Sequence, residues 1–167
     1  MKLILDVGYF DSIAKVVGLV INENDGIRTL QKIISNPQPY VPGEFYKREL
    51  PCLMALINDI AFDQLDYIII DGYVYVNNDR LYGLGGHLYD VLESKVPVIG
   101  VAKTLYRGNE QTTKKVFRGK SKNPLYVSSI GISIDMAAQI VETMDGPNRI
   151  PDLIKKVDTL TKQIRDQ

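Results

Sequence analysis

The sequence predicts an α/β protein: one mixed central sheet with helices on both faces, folded as a single domain over residues 1–167. Three observations carry this reading. Two apolar stretches, Ser12–Ile21 and Ile27–Ile34, are joined by Asn22-Glu23-Asn24-Asp25-Gly26, a strong hairpin signal, so with the strand before them they make an antiparallel three-strand meander. Further on, Leu65–Asp71 and Val96–Val101 are continuous apolar runs of the kind buried on both faces, and the helix-like segment Leu84–Glu93 lies between them. That is a βαβ unit, which implies parallel pairing and a right-handed crossover. Finally, no repeat, low-complexity segment or linker interrupts the chain, so the elements share one sheet.

The remaining elements follow from periodicity and capping. Lys2–Val7 is a short apolar strand closing on Asp-Val-Gly. From Gly43 the period lengthens, because Leu50, Leu53, Met54, Ile57 and Ala61 fall on one helical face up to about Phe62, with Pro51 near the start of that helix or marking a break. Tyr126–Ile130 reads as a late strand and Ser133–Met144 as a helix opened by Ser133 as N-cap, before a final helix from about Pro151 to Ile164.

A chain of 167 residues can bury about two thirds of its unfolded surface and needs no covalent staple. With 45% hydrophobic and 24% charged residues it has the composition of a globular domain. No apolar run approaches the ~20 residues of a membrane span. Asp6 interrupts the amino-terminal apolar stretch before a leader could develop, so the expectation is a cytoplasmic monomer with no membrane partner. The lone Cys52 sits in Leu50-Pro51-Cys52-Leu53-Met54 and reads as core packing. The balance of 20 basic against 20 acidic residues does not advertise a nucleic-acid binder. Lys114, Lys115, Arg118, Lys120 and Lys122 do crowd one stretch, which is either a source of phosphate contacts or a solvated loop.

The chemistry gathers on acids at strand ends. If the strands ending in Asp6 and Asp71 are parallel neighbours, both carboxylates reach the same carboxyl edge, where open α/β sheets place their sites. Two bare carboxylates there repel, and oxygen ligands recruit a hard cation such as Mg²⁺ or Mn²⁺. Glu49, after Arg48 at the start of the first long helix, could complete a metal site or hold a metal-bound water. The alternative is that each acid serves its own turn or helix end. Lys103 follows an apolar strand directly and either offsets phosphate charge at that edge or snorkels into solvent. Gly83-Leu84-Gly85-Gly86 lacks the full phosphate-loop fingerprint, and one histidine with one cysteine cannot build a structural zinc site.

In their order these residues resemble the endonuclease V family over nearly the whole chain. Asp6-Val7-Gly8-Tyr9 is similar to its first-strand aspartate motif. Tyr40-Val41-Pro42-Gly43 followed by Arg48-Glu49 resembles its Tyr-x-Pro-Gly and Arg-Glu signature. Asp71-Gly72, Gly83-Leu84-Gly85-Gly86-His87-Leu88, Ile99-Gly100-Val101-Ala102-Lys103, Asn123-Pro124-Leu125-Tyr126-Val127 and Arg149-Ile150-Pro151 resemble its later landmarks.

The resemblance implies an RNase H-like fold and a metal-dependent endonuclease that cuts DNA or RNA on the 3′ side of a deaminated purine. It implies Asp6, Glu49, Asp71 and Lys103 as the catalytic group, with Asp6, Asp71 and Glu49 holding Mg²⁺ or Mn²⁺. It also implies Tyr40, Val41, Pro42 and Gly43 as a wedge at the lesion, and Gly83, Gly85 and His87 beside the extruded base.

The chain departs from the family at Ile130, where a histidine is expected, and at Tyr73-Val74-Tyr75-Val76-Asn77-Asn78-Asp79. Asp135 is either a compensating acid at the metal edge, since RNase H-like sites draw a late-helix carboxylate, or a charge suited to the start of its helix. These departures motivate an alternative: a non-cleaving homologue that keeps fold and wedge. The retained acids speak for the enzyme, because an inactive protein has no chemical reason to hold carboxylates face to face.

Overall fold

The structure is a computed structural model and describes residues 1–163. Seven strands, β1 (Lys2–Phe10), β2 (Ile13–Asn22), β3 (Gly26–Ser35), β4 (Tyr67–Asp71), β5 (Val98–Ala102), β6 (Lys114–Val116) and β7 (Leu125–Ile130), form one sheet in the order β3-β2-β1-β4-β5-β7-β6. Among the described residues four α-helices accompany it: α1 (Tyr46–Ile57), α2 (Leu84–Val91), α3 (Ile134–Glu142) and α4 (Asp152–Thr161). The meander β1-β2-β3 is antiparallel, β1-β4-β5 is parallel, and β7 returns antiparallel on β5. The expected mixed sheet is therefore present.

Alternation along the strands sorts the core into two layers. Leu3, Leu5, Ile68 and Ile70 face Leu53, Leu56 and Ile57 of α1 and Leu84 and Leu88 of α2. Ile4, Ile69, Ile99 and Val101 face the other way, against Ala137 and Val141 of α3 and Val157 of α4. Asp6 and Asp71 continue the second set, so the same two-residue period that buries Ile4 and Ile69 turns both acids towards α4.

Three differences from expectation have physical causes. β1 runs on to Phe10 because β2 keeps pairing with it (Phe10↔Ile13) after β4 has ended. α1 continues through Pro51, since buried Cys52, Leu53, Leu56 and Ile57 hold the helix on the sheet despite the missing N–H. The basic stretch contains the short edge strand β6, whose lysines hid it. Ser133 caps α3 as expected, its side chain accepting from Met136 N, and Cys52 is core. The expected end of the final helix at Ile164 lies outside the described residues.

Among the described residues no helix is long and apolar enough to cross a membrane.

Candidate active site at the carboxyl edge of β1 and β4

The parallel register Lys2↔Tyr67 through Leu5↔Ile70 makes Asp6 and Asp71 the next facing positions at the edge of the β1–β4 pair. Asp71 still pairs with Val101, and Gly72 N donates to Val101 O at 3.0 Å, so β5 fixes its backbone. Val7 N donates to Asp6 Oδ1 at 2.8 Å, which orients the first carboxylate. The two acids line a narrow cleft with Lys103, Ile154, Val157 and Asp158.

Asp158 was not singled out from the sequence. It comes from α4, which lies close on β1 because Gly8 has no side chain: a Cβ there would meet Thr161 O at 2.5 Å. Thr161 Oγ1 in turn donates to Asp6 Oδ2 at 3.4 Å. Asp158 is shared by two lysines, Lys162 Nζ at 2.8 Å and Lys103 Nζ at 4.0 Å.

The electrostatics show that these acids sense one another. Asp6 is pushed up from 3.8 to about 6, first by burial and then by the charge of Asp71, with Asp158 adding and Lys103 opposing. Glu49, reaching the edge from α1, is pushed up from 4.5 to about 8 by burial and then by Asp6 and Asp71, against Arg48. Burial also raises Asp71, with Lys103 lowering it and Asp158 raising it.

Beside them, the Arg48 guanidinium stacks 3.7 Å from the centroid of the Tyr9 ring. Among the described residues no three acid, histidine or cysteine side chains already stand as a finished cage for an ion. Two lysines, Lys162 and Lys103, are drawn onto Asp158. This all-oxygen donor set, strained by its own charge, fits a hard divalent cation.

That strain predicts a pH dependence for the metal-free protein. A carboxyl whose folded pKa is raised keeps a proton that the unfolded chain has already lost, so stability is greatest below its ordinary value. It is lost as pH climbs through the folded values of about 6 and about 8. Thermal unfolding in a chelator should show a melting temperature that falls from about pH 4 to about pH 8. Glu49→Gln should flatten the upper half of that fall.

The other expected residues fall in separate places. Tyr40, Val41, Pro42 and Gly43 form an exposed turn ahead of α1, closed by Glu44 N donating to Val41 O at 3.0 Å; Gly43 has φ +80° and Tyr40 is 60% exposed. His87 on α2 stacks on Tyr46 at 3.7 Å between ring centroids, which ties α2 to the helix that follows the turn. Gly83 and Gly85 are buried, and the room left by their missing side chains is filled by the protein itself. A Cβ at Gly83 would meet Tyr73 O at 2.8 Å, and one at Gly85 the Val74 side chain at 2.9 Å.

Asp135 is not with the acids. It is 79% exposed and paired with Lys114 at 2.6 Å, at the start of α3. The late-helix carboxylate comes instead from α4, as Asp158, because α4 and not the start of α3 packs on β1. Ile130 pairs with Val98 at the amino end of β5, whereas Lys103 follows the carboxyl end, so the departure at Ile130 does not touch the acid cluster.

The segment after Gly72 is used structurally. Tyr73 Oη donates to Thr104 O, and Asn78 Oδ1 accepts from Gln111 N at 2.8 Å. Within the basic stretch, Arg118 is not a phosphate contact but a buried clamp, 6% exposed, whose guanidinium serves the carbonyls of the loop joining α3 and α4.

Fold and acid edge together define an RNase H-like protein. The family model of Endonuclease V matches residues 4–159, and the chain belongs to the Endonuclease V family. The Endonuclease V of Pyrococcus abyssi is 30% identical over 161 residues, covering 95% of this chain and 77% of that protein. That of Rhodospirillum centenum is 30% identical over 150 residues. The chain spans 60% of the Rhodospirillum centenum protein and 64% of its Ignicoccus hospitalis relative. Among solved structures, Ciona intestinalis Endonuclease V, crystallised with a 24mer DNA containing an inosine followed by a ribo-adenosine, superposes with a TM-score of 0.79 at 20% identity, covering 96% of this chain and 84% of that one. The Bacillus subtilis Endonuclease V matches with a TM-score of 0.76 at 19% identity, covering 96% of this chain and 77% of that one.

Proposed function

We propose that the protein is a metal-dependent endonuclease that hydrolyses a phosphodiester on the 3′ side of a deaminated purine, inosine or deoxyinosine, in a nucleic-acid strand. The observation that carries this reading is that Asp6, Asp71 and Asp158 line one cleft with Lys103 at the sheet edge, with Glu49 near enough to Asp6 and Asp71 to be raised by their charge. Membership of the Endonuclease V family and the inosine-containing DNA in the Ciona intestinalis structure support the substrate class.

Asp6, Asp71 and Asp158 would hold Mg²⁺ or Mn²⁺, which supplies an activated water and a Lewis acid for the phosphoryl oxygen. Glu49, entering from α1, is a further ligand or the group that holds the attacking water. Lys103 offsets charge on the phosphate as it develops. The exposed Tyr40-Val41-Pro42-Gly43 turn stacks where the base was, and the wall formed around Gly83, Gly85 and His87 receives the extruded base. Of the two departures that motivate a non-cleaving homologue, the one at Ile130 lies opposite Val98, at the end of β5 away from Lys103, which favours the cleaving reading.

The test is direct. A labelled oligonucleotide containing one inosine is incubated with the protein and Mg²⁺ or Mn²⁺, beside the same strand with guanine. A nick 3′ to inosine, dependent on the cation and absent with guanine, is the expected result. Retention of the strand with no cation-dependent nick refutes nuclease function, and equal cutting of both strands refutes the lesion specificity.

A further inference from the structure

The acid edge creates a difficulty for its own substrate. The carboxylates of Asp6, Asp71 and Asp158 at one sheet edge repel a polyanion, and a divalent cation offsets only part of that charge. The chain as a whole is neutral, with 20 basic and 20 acidic residues, so no general positive field draws the strand in. Cations close to the acids must do this, and α4 with its C-cap Lys162 carries them in a fixed arrangement. Lys155, Asp158 and Lys162 recur at i, i+3 and i+7 and therefore share one face of the helix.

At 1.5 Å per residue, Lys155 and Lys162 stand roughly 10 Å apart along the axis, on either side of Asp158. That is a span of about three nucleotides at the ~3.4 Å rise of a strand. Lys155 is exposed, has no carboxylate partner among the described residues, and lines a groove with Lys103, Asn148, Arg149 and Asp158. The wall of that groove is rigid: Arg149 is spent on main-chain carbonyls, donating to Pro124 O at 2.7 Å and Lys103 O at 2.5 Å. Lys162 is held by Asp158 through an exposed ion pair. Such a pair is weak enough to be exchanged for a phosphate oxygen.

We infer that Lys155 and Lys162, flanking Asp158 on α4, hold the phosphates on either side of the scissile one, so that this helix sets the strand's position over the acids. The inference rests on the nuclease reading and adds the path of the strand. It is tested by fluorescence-anisotropy titration of the inosine-containing oligonucleotide, in chelator to prevent cutting, over a range of salt concentrations. Lys155→Ala, Lys162→Ala and the double variant are compared with wild type and with Lys95→Ala, a change of an exposed lysine just before β5, at the opposite end of the sheet. Melting curves confirm that each variant folds.

Each α4 substitution should reduce the magnitude of the slope of log affinity against log salt by about 1, and the double variant by about 2. Affinity at low salt should fall several-fold, while Lys95→Ala matches wild type. An unchanged slope in the double variant overturns the inference, as does failure of the wild type to retain the strand. Nicking of inosine against guanine in the same preparations separates the two ideas. Loss of slope without inosine-directed cutting leaves the phosphate contacts standing and removes the function, and cutting with an unchanged slope does the reverse.

Discussion

Asp71→Asn should reduce cation-dependent nicking by more than roughly a hundredfold, since changing even the groups behind a metal ligand costs about 10–100-fold. The substitution keeps the shape and removes one negative charge. It leaves the β1–β4–β5 pairing intact, because Asp71 enters the ladder through its backbone, opposite Val101. The same change should make the metal-free protein more stable near neutral pH. Asp71's charge is the largest electrostatic contribution raising Asp6 and it also raises Glu49, so removing it relieves both. Lost activity with a raised melting temperature in chelator identifies a carboxylate kept for the ion it holds rather than for the fold. Cutting equal to wild type would show that Asp71 is not needed for cutting.

Arg118→Met should have the largest effect on stability, on the order of 3 kcal/mol. Nε donates to Glu142 O at 3.3 Å, Nη1 to Asn148 O at 2.8 Å and Arg149 O at 3.4 Å, and Nη2 to Gly146 O at 3.1 Å and Asp145 O at 3.4 Å, besides Met144 O. A methionine fills similar volume but leaves these carbonyls without their donor. Arg118→Lys should rescue little, because one ammonium cannot reach carbonyls spread around a planar fork. Urea unfolding of the three proteins measures the difference. A loss below about 1 kcal/mol in both variants would mean that solvent satisfies the loop.

The parts legible in the sequence are those with a single dominant signal. Apolar runs bounded by turn chemistry marked β2 to β5, and Asp6 and Asp71 stood out because each interrupts such a run at its end. β6 was hidden because a three-residue edge strand beginning with two lysines has no pattern to show, and the same lysines masked Arg118, whose burial depends on a loop some 25 residues later. Asp158 was missed for a related reason. Among Lys155, Lys156 and Lys162 it looks like part of a solvated helix face, and its pair with Lys162 at i+4 reinforces that impression. A signal was nevertheless present, since Asp158 adjoins the stripe Ile154, Val157, Thr161 that α4 turns to the sheet. An acid beside a core-facing stripe calls for an explanation that a surface ion pair does not supply. Asp135 drew attention because a capped helix start is easy to read, whereas which helix crosses β1 is a property of the whole fold.

The position of α4 also sets an order of events. Asp6, Glu49 and Asp71 all precede residue 72, and every strand of the sheet is complete by Ile130, yet Asp158 is carried by the last described helix. A chain emerging amino-terminus first can assemble its sheet and bring three acids together well before the fourth arrives. Until α4 settles over Gly8, the nascent protein has its folded framework but not its full set of carboxylates. If the protein is the nuclease proposed above, a growing chain that met nucleic acid near its site of synthesis would lack one of its acids.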